Sequence, residues 1–194
     1  MKKILAMLIV LSLLLPAAAA LADDDTGVQI IGGPATESAP VSLDDMKIGE
    51  TAKIEGFGAV TILSVEWMDG ILRCDADGWN NNSWESGSEA QFLYLKVRIL
   101  NTQKKAQNFL KMFSDIVCDY GDGYTFAGWC RQRSADDEQK RLYTGREDGY
   151  EISPLYAGQY GVIVTLPNLV VESKEPLSVT FKIGEHEFTY HHRR

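Results

Sequence analysis

Most of the chain alternates apolar and polar residues, which is the pattern of β-strands with one buried face. The clearest case is Gln91 to Asn101, where four apolar side chains alternate with polar ones that include Lys96 and Arg98. Turn residues, chiefly glycine and proline, separate such segments. Strands are therefore predicted at Ile48–Ile54, Ala59–Met68, Gln91–Asn101, Phe113–Tyr120, Tyr124–Arg131, Tyr160–Leu166, Leu177–Ile183 and Glu187–His191.

Alternation also predicts which side chains share a face of a strand. The two longest sets are Thr61, Leu63, Val65 and Trp67, and Leu93, Leu95, Val97 and Ile99. Only Ser134 to Leu142 has the composition of a short helix, and it lacks an apolar stripe, so we expect a surface turn there. The pattern predicts an all-β fold, built as a two-sheet antiparallel sandwich. A closed β-barrel is the alternative, because its strands alternate in the same way.

The N-terminal 22 residues predict an export signal. Lys2 and Lys3 precede the apolar run Ile4–Leu15, and small residues end the segment at Ala22. This run is shorter than the roughly 20 residues that cross a bilayer. We therefore expect cleavage after Ala22 and secretion to the extracellular side. Residues 23–40 are expected to be a flexible leader, and residues 41–194 to form one domain.

Composition narrows the classes of partner. The chain is 45% hydrophobic, which is ordinary for a packed domain, and carries 27 acidic against 19 basic residues. The net charge of -8 disfavours a nucleic-acid partner, because binding phosphates requires a local excess of lysine and arginine. No further long apolar stretch follows the signal, so no membrane span is expected in the mature chain.

Three ordered parts of the sequence carry a family resemblance. They are Ile48–Thr51 with Ala59–Val65; Tyr94–Thr102; and Pro154–Gly158 with Val162–Pro167 and Pro176–Phe181. In order and spacing they resemble the telokin-like, immunoglobulin-like domains of secreted and surface proteins of Gram-positive bacteria, a family largely of unknown function. The resemblance implies an immunoglobulin-like sandwich outside the cell, without an established enzymatic activity.

Residues that commonly carry catalysis or bind metals are sparse. The only histidines, His186, His191 and His192, lie in the last nine residues, where we expect a solvent-facing tail rather than a metal site or a catalytic triad. The acidic pairs in Asp75–Gly78 and Asp119–Gly123 are interpreted as turns rather than calcium loops, because neither fits the EF-hand spacing. We expect no metal, no cofactor and no catalytic residue.

The segment Asp75–Ala90 is the strongest candidate for a recognition loop. It places two indoles among amide and hydroxyl side chains, a composition typical of adaptable binding loops. The candidate ligand-binding residues are Trp79, Asn80, Asn81, Asn82 and Trp84. The alternative is that the indoles fold back and cap an edge of the sandwich.

Three cysteines allow one disulfide in an exported protein. A hairpin turn centred on Asp122 would place Cys118 opposite Phe126, four residues from Cys130. That offset is about 13 Å, too long for a bridge. The predicted pair is Cys74 with Cys130, because both lie near strand ends, and the alternative is three buried thiols.

The sequence favours a secreted, non-catalytic binding or interaction module of the cell envelope. Its partner would be a protein or a glycan, and neither the ligand nor the oligomeric state follows from the residues. Two alternatives belong to other classes. One is a secreted hydrolase that acts on carbohydrate through acidic residues, since 27 carboxylates allow many pairs. The other is a structural spacer without a ligand.

Overall fold

The structure, a computed structural model, describes residues 42–74, 82–121, 123–133, 142–143 and 150–193. The predicted signal peptide and leader, and residues 134–141 of the predicted surface turn, lie outside these ranges. The strands are β1 (Ser42–Leu43), β2 (Thr51–Ile54), β3 (Gly58–Met68), β4 (Gly70–Cys74), β5 (Asn82–Glu85), β6 (Ala90–Asn101), β7 (Phe113–Tyr120), β8 (Tyr124–Arg133), β9 (Leu142–Tyr143), β10 (Ala157–Pro167), β11 (Leu177–Ile183) and β12 (His186–Arg193). The helical elements are a 3-10 turn at Phe109–Met112 and the single-turn helix α1 at Asn168–Glu172.

Nine strands form one curled sheet in the order β1-β12-β11-β7-β8-β10-β6-β3-β2. All its pairs are antiparallel except β1 with β12. The end strands β1 and β2 are not paired with each other in the described part, so the sheet is open rather than a closed barrel. The all-β prediction is confirmed, but the two predicted sheets are continuous with each other.

Strand β8 joins the two layers. Its first four residues, through Ala127, pair with β7, and Gly128 to Arg133 pair with β10. The sheet turns its corner at Gly128, where the chain is crowded from both sides. A Cβ atom there would lie 2.4 Å from Cγ2 of Ile116 and 2.8 Å from the carbonyl oxygen of Ile163. Only glycine fits this corner without displacing its neighbours.

The main core lies between the two layers. The predicted apolar face of β6 is confirmed, because all four of its side chains are fully buried. The facing layer contributes the alternating apolar residues of β11, whose intervening side chains are half-buried. Buried residues from both layers are in one cluster, which includes Leu93, Leu95, Val97, Ile99, Tyr160, Val162, Val164, Leu177, Val179, Phe181, Ile183 and Phe188.

A β-bulge divides strand β3 into two halves with opposite alternation. Ile62 faces the core, and the register with β6 then shifts at Leu63. After the bulge Val65 and Trp67 pack partly buried against the same core. The prediction that Thr61 and Leu63 share one face with these two residues is therefore wrong, because one inserted residue reverses the face.

A second apolar cluster lies on the outer face of the sheet, under the β4–β5 hairpin. The cluster contains Ile71, Phe92, Tyr94 and Ile163, with Met68, Trp84 and Trp129 packed against them. Strand β9 pairs with both β4 and β8 and so joins this hairpin to the main sheet. The hairpin therefore covers one part of the outer face.

The cysteines are free thiols where the structure describes their side chains. Cys118 lies opposite Phe126, as predicted, and Cys118 and Cys130 are both buried and unbridged. Burial raises the pKa of the Cys118 thiol to about 12. Strand β9 lies between β8 and the strand of Cys74, so that strand is two strand spacings, about 9.6 Å, from β8. A disulfide spans no more than roughly 7 Å between Cα atoms. The predicted Cys74–Cys130 bridge is not formed in this structure.

The histidines do not form a solvent-facing tail, so that prediction is wrong. His186 is 3% exposed, and its ring lies edge-on to Phe57 with 4.7 Å between centroids. His192 is half-buried, edge-on to Trp67 at 5.5 Å. His191 bonds a backbone oxygen at 2.8 Å. The final strand closes the core, because its alternating residues face the opposite layer.

We expect the domain to lose stability on acidification. Burial lowers the pKa of His186 and of His192 in the folded state, and the charge of Arg193 lowers that of His192 further. The unfolded chain takes up these protons near pH 6.5, so the stabilisation is complete above that pH and is lost as pH falls below it. Urea midpoints at pH 7.5, 6.5 and 5.5 measure the loss. A double variant with glutamine at both positions should show a smaller drop between pH 7.5 and 5.5, and an unchanged drop would contradict the assignment.

Candidate functional site

An open groove of about 570 Å³ lies at the end of the molecule where the end of β10 and the start of β8 meet the loop after β5. The loop forms one wall, and side chains of β8 and β10 form the other. The lining residues are Ser86, Gly87, Ser88, Glu89, Ala90, Phe126, Thr165 and Pro167.

Hydrogen bonds from two directions hold the loop wall in place. The backbone N–H and the hydroxyl of Ser86 both donate to the carbonyl oxygen of Asp69, each at 2.9 Å. From α1, Asn168 donates its amide Nδ2 to the carbonyl of Ser88 at 3.0 Å and its backbone N–H to the carbonyl of Glu89 at 2.9 Å. The wall is therefore fixed before any ligand binds, which lowers the entropic cost of binding.

The groove combines an aromatic ring with polar groups. Phe126 is half-buried in the lining, and Tyr124, two residues earlier on β8, is 67% exposed. Leu169, just beyond Pro167, is 78% exposed. The serine and threonine hydroxyls and the Glu89 carboxylate supply hydrogen-bonding groups along the wall. Apolar surface with a few placed polar groups is typical of small-ligand sites.

The structure places part of the predicted recognition loop in a strand. Asn82 and Trp84 belong to β5, which pairs with β4. The Trp84 ring lies edge-on to Trp129, with 4.7 Å between centroids. For Trp84 the structure favours the capping alternative. The other candidates, Trp79, Asn80 and Asn81, lie outside the described residues.

Replacing Trp84 with alanine should destabilise the domain by about 2 kcal/mol, because a half-buried indole leaves part of the outer cluster uncovered. Thermal or urea unfolding measures the loss. Leu72→Ala on the paired strand β4 is the matched control, since Leu72 is 42% exposed and should change stability by less than about 0.5 kcal/mol. An equally small loss of stability in both variants would contradict the capping role, and Trp84 would again be a candidate recognition residue.

The sequence identified only the loop side of the groove. Ser86 to Ala90 belong to the predicted Asp75–Ala90 segment, whereas Phe126, Thr165 and Pro167 come from distant parts of the chain. These residues meet because β8 leaves β10 at its corner, and no sequence pattern marks that departure. The turn-rich Ser86–Ser88 stretch was the one local signal.

Two more exposed side chains with large apolar surfaces, Leu155 and Tyr156, lie on the turn before β10. The backbone N–H of Tyr156 donates to the carbonyl of Ser153 at 3.1 Å, which closes a type II turn with Pro154 in its second position. Leu155 has a φ of 66° in the third position, where glycine is usual. Leu155 and Tyr156 are 55% and 70% exposed.

The buried side chain of Asn101, at the end of β6, fixes this turn. Its Nδ2 donates to the carbonyls of Lys105 and Ile152, at 2.9 and 2.8 Å, and its Oδ1 accepts from the N–H of Gln103 at 2.9 Å. Its backbone bonds Leu155 and Tyr156. One fully buried side-chain amide therefore joins the loop after β6 to the loop before β10.

Neither a metal centre nor a membrane-spanning helix is found among the residues that the structure describes. Those residues contain no group of three or more histidine, cysteine or carboxylate side chains placed to hold a metal ion. No helix among them has the length and apolar character that a membrane crossing requires.

Comparison with known proteins gives the fold. The structure is similar to an uncharacterized β-sandwich protein from Clostridium difficile 630, with a TM-score of 0.60, 21% identity, and coverage of 83% of this chain and 99% of the other. The fold is a β-sandwich. A protein from Bacillus subtilis described as a candidate lipoprotein matches at a TM-score of 0.37 and 11% identity, over 73% of this chain and 37% of its own, which is too weak to support an argument. No family model matches the sequence, and no curated protein matches it.

Proposed function

We propose that the protein is a secreted, non-catalytic binding module of the cell envelope, and that its ligand site is the groove beside Phe126. The observation that carries this proposal is the pre-formed groove itself. Its wall is held by Ser86 and Asn168, and Tyr124 is exposed at its end of the sandwich. A glycan suits these groups, because aromatic faces stack on sugar rings while hydroxyls and a carboxylate bond the sugar hydroxyls.

The alternative of a secreted carbohydrate hydrolase has less support. Two carboxyl groups must flank the bond that is cleaved. Among the described lining residues Glu89 is the single carboxylate. The spacer alternative gives no reason for an ordered groove with exposed apolar side chains beside it.

The strand order supports an immunoglobulin-like version of the sandwich. Strands β3-β6-β10-β8 are in the order of strands A, B, E and D of a constant-type domain, and β7-β11-β12 follow the order C, F, G. Two features depart from that pattern. Strands β7 and β8 pair directly, and Cys118 and Cys130 lie on these two strands rather than on β6 and β11, the counterparts of B and F. We propose membership of the telokin-like family on this order together with the sequence motifs.

An array of glycans and envelope polymers, probed with the secreted chain, tests the proposal. Tyr124→Ala should weaken binding to any positive compound at least tenfold and change stability by less than about 0.5 kcal/mol, because this ring is exposed. Tyr156→Ala is the matched control, since that tyrosine is 70% exposed at the opposite end. A negative array, or equal binding by wild type and Tyr124→Ala, would contradict the proposed groove site.

A further inference from the structure

The charged side chains of the groove are all acidic. The lining residues and their neighbours in the chain, residues 85–90, 124–128 and 165–168, include Glu85 and Glu89 but no lysine, arginine or histidine. The basic residue nearest to them along the chain is Arg131, whose guanidinium lies over the ring of Trp129, 5.6 Å from its centroid. A cleft with charges of one sign concentrates ions of the other sign. The groove therefore attracts cations and repels anions.

The Glu89 carboxylate is accessible to a ligand. Glu89 lines the groove and is exposed, and no hydrogen bond or ion pair engages its side chain among the residues that the structure describes. The backbone that carries it is held in place, because its carbonyl accepts the backbone N–H of Asn168 at 2.9 Å. A charged group on a fixed backbone loses less conformational freedom when a ligand binds. Glu89 is therefore the group of the groove that is best placed to bind a cation.

The other lining side chains suit the remaining parts of a sugar. The hydroxyls of Ser88 and Thr165 are exposed and make no hydrogen bond within the described part of the chain. The hydroxyl of Ser86, in contrast, donates to the carbonyls of Asp69 and Ala90, at 2.9 and 2.7 Å. The ring of Phe126 offers an apolar face, and the negative face of an aromatic ring also attracts cations. Two hydroxyls, one carboxylate and one ring thus remain for a ligand.

These groups distinguish glycans by their charge. A sugar with a carboxylate or phosphate would bring a second negative charge to Glu89, and like charges brought together in an interface disfavour binding. A neutral sugar can donate a hydroxyl to the carboxylate. A protonated amino group donates a charge-assisted hydrogen bond, which is roughly twice as strong as a neutral one. The volume of about 570 Å³ is that of a small-ligand site, so it suits a short stretch of a glycan chain.

We propose that the groove binds a glycan whose sugars carry free amino groups. The ammonium group contacts the Glu89 carboxylate, the sugar ring lies against Phe126, and the hydroxyls of Ser88 and Thr165 bond those of the sugar. This inference rests on the proposed function of the groove as a glycan site. It adds the charge of the ligand, which separates amino sugars from N-acetylated and acidic ones.

Calorimetric titration of the secreted chain at pH 6.0 and low ionic strength tests the inference, with tetramers of glucosamine, N-acetylglucosamine and galacturonic acid as ligands. The glucosamine tetramer should bind about fivefold more tightly than the N-acetylated one, as an exposed ion pair allows, and the galacturonic acid tetramer should not bind. Added salt should reduce the difference between the first two. Equal or tighter binding of the N-acetylated tetramer, lost in Tyr124→Ala, would overturn this inference and leave the groove a glycan site. Failure to bind all three tetramers and every glycan of the array would contradict both proposals.

Substitutions at Glu89 test the role of its charge. Glu89→Gln should weaken binding of the glucosamine tetramer about fivefold and leave the melting temperature unchanged, because this side chain is exposed. Glu89→Lys should exclude the glucosamine tetramer and admit the galacturonic acid tetramer. Glu85→Gln is the matched control, since Glu85 is an exposed glutamate four positions earlier and outside the lining, and its loss should leave binding unchanged. Wild-type affinity in Glu89→Gln, or an equal loss of affinity in Glu85→Gln, would overturn the proposal.

Discussion

Replacing Gly128 with alanine should destabilise the domain by about 3 kcal/mol, the upper part of the range for overpacking. The added Cβ would lie 2.4 Å from Cγ2 of Ile116, 2.8 Å from the carbonyl oxygen of Ile163 and 2.9 Å from Cγ2 of Val164. A backbone oxygen cannot move without disturbing the ladder between β8 and β10, so the corner itself must open. Urea unfolding measures the loss.

Gly184→Ala is the control for this experiment. Gly184 has a φ of 62°, and a Cβ there would meet no atom within 4 Å. Its substitution tests backbone conformation alone and should cost about 1 kcal/mol. If the two variants lost the same stability, crowding at the corner would not be what requires glycine at position 128.

Asn101→Ala should destabilise the domain by roughly 3–4 kcal/mol, because it removes the three hydrogen bonds that one fully buried amide makes. The amide bonds the carbonyls of Lys105 and Ile152 and the N–H of Gln103. The carbonyl of Ile152 keeps its bond from the N–H of Gln107, whereas the other two groups lose this partner. Hydrogen exchange should show that the loop after β6 and the loop before β10 exchange their amide protons well before the sheet does. Unfolding in urea gives the magnitude.

Asn168→Ala is the matched asparagine control. Its side chain makes one exposed hydrogen bond, to the carbonyl of Ser88 at 3.0 Å. Losing that bond should cost about 0.5–1 kcal/mol. A loss in Asn101→Ala no larger than this would mean that the loops are held chiefly by their backbone bonds.

Alternation predicted the strands well wherever pairing is regular. The face of β6 followed from Leu93 to Ile99, since a strand with unbroken register keeps period two. The face of β3 did not follow, because the extra residue at Leu63 depends on how β6 lies beside it. A bulge is a property of a pair of strands and leaves no mark in either sequence.

The distribution of charge over the surface is a second property that the order of residues in the sequence does not reveal. Arg98 and Arg133 are 35 positions apart, yet both lie opposite Gln159. The net charge of -8 therefore described the average of the surface and not its distribution. The groove is hidden in the same way, because Phe126 and Pro167 meet its loop wall only after β8 turns its corner.

The parallel pairing of β1 with β12 makes the domain resist a force that is applied along these two strands. Ser42 and Leu43 lie beside Glu187 and Phe188, and the N–H of Met46 bonds the carbonyl of Thr189 at 2.9 Å. Because these strands run side by side in the same direction, pulling the two ends of the chain apart would slide one along the other. The hydrogen bonds between the two strands would then bear the force at the same time and break together, instead of breaking one after another.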